Sequence, residues 1–240
     1  ERFQNQEFAL AGAKYIVRRK IKGHISLLNQ YKKSKSIPNF ESVQKTLKAL
    51  LKRVERTQKV DRLRGIEGLA SRTYFSVLGY VLSEPWEFAG RKRHPSPDPV
   101  NAILSYGYSF LEREVRACLL PTGLDVRIGV LHSTNNRKDS FVYDVMDIFR
   151  QDIIDRFVLK LLNRHMIVSE DFDISEHGCF LSKDANKKWV ELYEGYMINE
   201  LSRLGNITPR KWIQREVQAF MLYLKSLDET VTVTERENIS

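Results

Sequence analysis

Residues 129–150 read GVLHSTNNRKDSFVYDVMDIFR. A short apolar run ends in His132, and a polar, basic loop follows. Asp139 or Ser140 then offers an N-cap for a helix with an apolar stripe, predicted to run on to about Arg164. Its first two turns carry Asp144 and Asp147, three residues apart and so on one helical face. An imidazole just ahead of a helix that presents two carboxylates makes half of a divalent-metal site. The other half must come from elsewhere in the chain.

Upstream, residues 2–33 form a long helix, with Phe8, Ala9, Ala13, Ile16, Val17, Ile21, Ile25 and Leu28 as its apolar stripe. Gly12 and Gly23 on this helix mark close packing. After the basic loop 32–38, Asn39 is expected to cap a second helix over 41–57. A third helix, over 60–82, holds Gly65 and Gly68 around Glu67. Interior glycines cost a helix about 1 kcal/mol each against alanine, so a neighbouring helix or a ligand is expected to approach closely there. Residues 84–99 are a proline-rich loop, and Asp98 with Pro99 opens a fourth helix that ends near Leu120. Residues 124–131 are apolar and short enough to be extended.

Downstream, residues 172–182 alternate apolar and polar around His177-Gly178, which reads as a small hairpin. Two amphipathic helices follow, over 184–203 and 209–227, and residues 229–240 read as a polar, frayed tail. The count is about seven helices and one hairpin, so the fold class is all-α with one small β-hairpin, and residues 1–228 form one helical domain.

Among the 240 residues, 42% are hydrophobic, enough for a sizeable core, and the formal net charge is +9. The basic residues are spread along the chain, which points to a folded basic surface and a polyanionic partner, most simply nucleic acid. Cys118 and Cys179 are the only cysteines; they build neither a disulfide framework nor a cysteine-based zinc motif, and they fit a reducing cytoplasm. No apolar run reaches the length of a membrane span. The chain begins inside a helix without an initiator Met, so a piece of a longer protein is expected.

The order GIEGLASRTYF at 65–75, RKRHPSPDPVNAILSYGYSFL at 91–111, GVLH at 129–132 and SFVYDVMDIFR at 140–150 resembles the CRISPR-associated adaptation integrases, the Cas1 family. The DPVN-A-x-LSYGY pattern is the most specific part. The resemblance covers roughly residues 5–225 and the family's C-terminal helical catalytic domain; the family's N-terminal β-rich domain has no counterpart in this chain. It implies that Glu67, His132 and Asp147 are metal ligands, with Asp144 a second acidic residue ranked below Asp147. It also implies DNA integration, in which a 3′-hydroxyl attacks a phosphodiester at a CRISPR repeat, with endonuclease activity from the same site. The implied partners are DNA, the small protein Cas2, a second copy of the chain and, in some members, a fused reverse transcriptase.

The residues agree with that chemistry. Two carboxylates and an imidazole suit Mg2+ or Mn2+, and phosphoryl transfer depends on charge neutralisation and positioning more than on covalent help. His132 is either a ligand or a general base. Arg64, Arg72, Arg91, Arg93 and Lys138 are the candidate DNA-contacting cations, and Asn101 a supporting residue that bonds the loop before it, bonds a catalytic side chain or serves the helix start.

Plainer readings stand beside these. On periodicity alone Asp144, Asp147, Gln151 and Asp155 form a solvated helix face. Glu67 could pair with Arg64 or Arg72. Tyr74, Phe75, Tyr106, Tyr108 and Phe110 are spaced as core. The rival function is a non-catalytic basic helical module that binds DNA or scaffolds a larger protein. An anionic-membrane binder lacks an exposed amphipathic segment.

Overall fold

A computed structural model describes residues 6–92, 95–132 and 139–237. Helix α1 (Gln6–Tyr31) buries Phe8, Ala13, Ile16, Val17, Ile21 and Leu28 of the expected stripe and adds Leu27, while Ala9 and Ile25 are half-buried. It is followed by α2 (Phe40–Arg56) and α3 (Val60–Leu78), which it packs against. Asn39 precedes α2 in the left-handed conformation and its side chain makes no cap bond; instead its carbonyl accepts from the Val43 N–H at 3.0 Å. That conformation is one asparagine tolerates.

Helix α4 (Pro99–Leu119) starts as expected: Pro99 occupies the first turn and the Asp98 side chain accepts from the Asn101 N–H at 2.8 Å. Residues 124–131 are not a strand; they run as turns and irregular chain, tied down where the Val126 carbonyl accepts from the Phe141 N–H at 3.0 Å.

The helix predicted over 140–164 is three pieces. Helix α5 (Ser140–Met146) ends in a tight turn, a π-helical turn spans Arg150–Asp155, and α6 (Arg156–Asn163) continues from it. Strands β1 (Phe172–Ser175) and β2 (Gly178–Leu181) pair antiparallel with Ser175 opposite Gly178. The hairpin rests on the loop before α4 through a Cys179 N–H to Ser96 carbonyl bond of 2.8 Å. Helix α7 (Lys183–Ile198) drives Trp189 between Tyr106 and Phe157, at 5.6 and 5.2 Å between ring centres. The last helix, α8 (Pro209–Glu237), runs through most of the stretch read as a frayed tail. The described residues thus hold eight α-helices and one hairpin, the mostly helical class the sequence predicts.

Helix α1 is the spine. Besides α2 and α3 it meets α5, the π-helical turn and α8. Gly23 makes the approach to the π-helical turn possible, since a Cβ there would lie 3.1 Å from Gln151 Cβ. Gly12 does the same for Leu224 and Val130. Gly65 and Gly68 do not: a Cβ on Gly65 would meet nothing within 4 Å, and one on Gly68 only the Arg72 guanidinium at 3.9 Å. No helix packs on them, so the surface around Glu67 stays open.

Candidate functional site

The π-helical turn and α5 turn a row of polar side chains inward. Asp144, Asp147, Gln151 and Asp155 are all buried, which overturns the reading of that row as a solvated face. The reason is tertiary. The row faces α1, α3, α4 and the 129–132 turn, where the three aspartates find their partners, while Gln151 donates to Asp155 at 3.3 Å, as buried polar groups must.

Asp144 does not point toward Asp147. Its Oδ2 accepts the main-chain N–H groups of Val130 and Leu131 at 2.7 and 2.8 Å, and its Oδ1 meets the N–H and the Nδ1 of His132 at 3.2 and 2.5 Å. The carboxylate therefore builds the turn that carries His132 and orients its ring. Gly129 is required for that wrap, because a Cβ there would fall 2.7 Å from Asp144 Oδ2. The Asp144 hydrogen bond raises the imidazole pKa above its usual value, against the pull of burial. The His132 side chain is 46% exposed, and its Nε2 has no partner among the described residues.

Asp147 and Glu67 meet across α1. Lys20, buried at 6% exposure, pairs with Glu67 Oε1 and donates to Asp147 Oδ2 at 3.0 Å. Ser71 Oγ donates to the same Glu67 oxygen at 2.8 Å, and Arg150 Nε to the other Asp147 oxygen at 2.6 Å. Burial acts to raise the Asp147 pKa, but the Lys20 ammonium and then the Arg150 guanidinium outweigh it and hold the carboxyl well below the ordinary range. His132 stands in the field of both acids, since Asp147 and Glu67 each favour its protonated form. Glu67 is thus paired, but with Lys20 rather than Arg64 or Arg72.

One turn beyond Lys20, His24 is fully buried and stacked on Tyr74 at 4.3 Å, with neither ring nitrogen hydrogen-bonded. Burial, then Lys20, pushes its pKa well down, so it is neutral.

A cleft of about 410 Å3 opens beside this cluster, lined by Lys20, Glu67, Ser71, Arg72, Arg91 and Arg150 among others. Four of those six are cations. Arg91 and Arg150 both lie over the Tyr108 ring, at 5.4 and 4.5 Å from its centre. The Tyr108 and Tyr74 hydroxyls donate to Asp155 at 2.6 and 2.8 Å.

Among the predicted cations, Arg91 is tied down: it donates to Asn101 Oδ1 and Ser105 Oγ at 2.9 and 2.8 Å. Arg64 gives its Nε to the Leu131 carbonyl at 2.5 Å and pairs with Asp61, so it braces the His132 turn. Arg72 is exposed and makes no hydrogen bond or ion pair among the described residues. Asn101 is fully buried and bonds the loop, through Gly90, Arg91 and Lys92, and Asp98 at the helix start. Arg93 and Lys138 lie outside the described residues. The sequence reading missed Lys20, Arg150 and the Asp144 role. Lys20 lies within a basic run, RRKIK, and nothing in that run marks one lysine as buried.

The site's donor set suits a divalent cation, and two of its carboxylates already share a cationic group, the Lys20 ammonium. Among the described residues no three acidic, His or Cys side chains form a ready-made cage. Nor is any described helix long and apolar enough to cross a membrane.

The family model described as CRISPR associated protein Cas1 matches residues 1–195. A CRISPR-associated endonuclease Cas1 of Thermus thermophilus is 32% identical over 199 residues, 82% of this chain and 60% of that protein. The chain spans 40% and 45% of two other curated relatives. A CAS1 protein from Thermotoga maritima superposes with a TM-score of 0.79 at 28% identity, over 93% of this chain and 68% of that one. A casposase bound to integration product gives 0.78 at 25% identity, over 93% and 63%. A chain of a Cas6-RT-Cas1–Cas2 complex gives 0.78 at 25% identity, over 94% of this chain and 25% of that one.

Proposed function

We propose that this chain, which belongs to the CRISPR-associated Cas1 family, is the helical catalytic part of a metal-dependent DNA endonuclease and integrase. The observation that carries the proposal is the convergence of Glu67 and Asp147, from α3 and the end of α5, on one buried positive charge with His132 in their shared field. Glu67, His132 and Asp147 would hold Mg2+ or Mn2+. Such an ion supplies charge neutralisation of the phosphate and of the attacking and leaving oxygens.

The chain's own residues do the rest. Asp144 fixes the His132 ring through Nδ1, which makes Nε2 the working nitrogen, as ligand or as base. Arg150 holds Asp147 in place, and Arg72, Arg91 and Arg150 supply a positive wall on which a phosphate backbone can lie. In the reaction a DNA 3′-hydroxyl forms a new P–O bond while the bond to the original 3′-oxygen breaks. One phosphodiester replaces another, and the proton lost by the attacking hydroxyl is balanced by one gained on the leaving oxygen. Water in place of the hydroxyl gives cleavage.

The structural relatives support the partners proposed for this chain: DNA, from the casposase on its integration product, and Cas2 with a reverse transcriptase, from the Cas6-RT-Cas1–Cas2 complex. A second copy of the chain completes the proposed assembly. One observation favours the rival reading as a non-catalytic DNA-binding module: Lys20 and Arg150 already pair with both acids without a metal.

The two readings separate in an assay of branched-DNA cleavage and strand joining with Mn2+, Mg2+ or EDTA. Activity is expected with either metal and not with EDTA. Glu67→Gln, His132→Asn and Asp147→Asn should each lower it by more than about 100-fold, beyond the usual cost of losing an outer partner of a metal site. DNA binding measured without metal should stay intact in all three. A wild-type chain that binds DNA but neither cleaves nor joins it with either metal would leave the rival.

A further inference from the structure

Lys20 is the one buried ammonium among the described residues, and it stands where two elements of the site meet. On one side it bridges Glu67 Oε1 and Asp147 Oδ2. On the other it lines the cleft whose remaining charged walls include Arg72, Arg91 and Arg150. Removing the lysine charge would leave Glu67 with Ser71 and Asp147 with Arg150 alone. A buried carboxylate such as Asp147 and a half-buried one such as Glu67 are costly in that state, so Lys20 organises the pair. A divalent ion held by Glu67 and Asp147 would compete with the ammonium for the same carboxylates, since like charges disfavour sharing one site. The lysine stem has four flexible carbons and already lines the cleft. There a fourth cation is unfavourable unless an anion joins it.

We propose that Lys20 is a displaceable counter-cation: it holds Glu67 and Asp147 together before a metal arrives and, once displaced, pairs with a DNA phosphate in the cleft. It is a positioning residue that couples metal loading to DNA binding, and the inference rests on Glu67 and Asp147 being metal ligands. Metal and ammonium compete for the carboxylates. Metal and phosphate cooperate, because the released ammonium gains a partner only when DNA is present.

The test measures Mn2+ binding to the DNA-free protein by titration calorimetry and by the spin-resonance signal of free Mn2+. It compares wild type with Lys20→Met and, as a milder change that keeps a hydrogen-bond donor, Lys20→Gln. Both variants should bind Mn2+ at least about fivefold more tightly than wild type, the lower end of typical coupling between sites. Lys20→Met should melt lower than wild type without metal and gain more in melting temperature from Mn2+. Adding Mn2+ should steepen the salt dependence of wild-type binding to a branched DNA by about 0.9 in log–log slope, the mark of one more phosphate contact. Lys20→Met should show no such change.

Mn2+ affinity in both variants equal to or weaker than wild type overturns the proposal, provided Glu67→Gln and Asp147→Asn weaken Mn2+ binding. If those two leave Mn2+ binding unchanged, it is the assignment of the metal ligands that fails, and the Lys20 proposal fails with it.

Discussion

At the residue scale, Asp144 shows how one carboxylate can make a site without entering it. Three main-chain N–H groups and the His132 ring converge on its two oxygens, in a place where the side chain is fully buried. An amide there would set an N–H2 group against those donors. Asp144→Asn should therefore destabilise the fold by about 2–3 kcal/mol, the scale of hydrogen bonds to a charged group. It should also cut activity about 10- to 100-fold through the disoriented imidazole. Urea denaturation and the cleavage assay at a temperature where both proteins are folded measure the two effects separately. Asp155 is the contrasting case. Burial raises its pKa, against the Tyr108 and Tyr74 hydroxyl bonds that stabilise the carboxylate. It accepts no hydrogen bond from Lys20 among the described residues; it accepts from Gln151 Nε2 at 3.3 Å and holds Tyr108 under Arg91 and Arg150.

At the scale of elements, the decisive departure is the π-helical turn at 150–155. Uninterrupted α-helical spacing predicts one helix to Arg164, and the apolar stripe Val145, Ile148, Phe149, Ile153 fits that expectation. The extra residue of a π turn widens the coil. Here the turn sits between Asp147, held by Arg150, and Asp155, held by two tyrosines, and it faces α1 at Gly23. Such turns are set by what packs against them, so local propensity does not announce them. Glycines divide the same way. At Gly107 on α4 a Cβ would lie 2.7 Å from Ile154 Cγ2 and 3.2 Å from the Trp189 ring. Gly107→Ala should thus destabilise by about 1–3 kcal/mol through overpacking. At Gly65 the space is empty, and Gly65→Ala should stabilise by about 0.5–1 kcal/mol through the lower entropy of alanine. Denaturant melts of the two variants give opposite signs if the packing is as described. The sequence alone offers no way to tell these two helical glycines apart.

At the scale of the whole molecule, a net charge of +9 becomes a directed surface only where the chain gathers it. The cleft beside Glu67 takes cations from α1, α3, the loop before α4 and the π-helical turn, none adjacent in the sequence. Arg72 is the exposed one whose guanidinium has no described partner. Arg72→Ala should weaken DNA binding to about the same extent for every sequence tested and flatten its salt slope by about 0.9, with the melting temperature unchanged. Filter binding over a salt series checks this. A drop confined to one DNA sequence would instead mean that Arg72 reads a base. The sequence by itself determined the helical class, the hairpin and the Asp98–Pro99 helix start, and it nominated the acidic and imidazole groups of the proposed site. Each of these is written in local spacing, in the propensity of single residues or in a recognisable motif order. Only the tertiary structure decided that the acidic row faces inward, that Asp144 serves His132, and that one lysine of a basic run is buried between Glu67 and Asp147. Those outcomes depend on which surfaces of α1, α3 and α5 exclude water from one another, and burial of a charge is a property of the packed neighbours that pair with it, not of the residue.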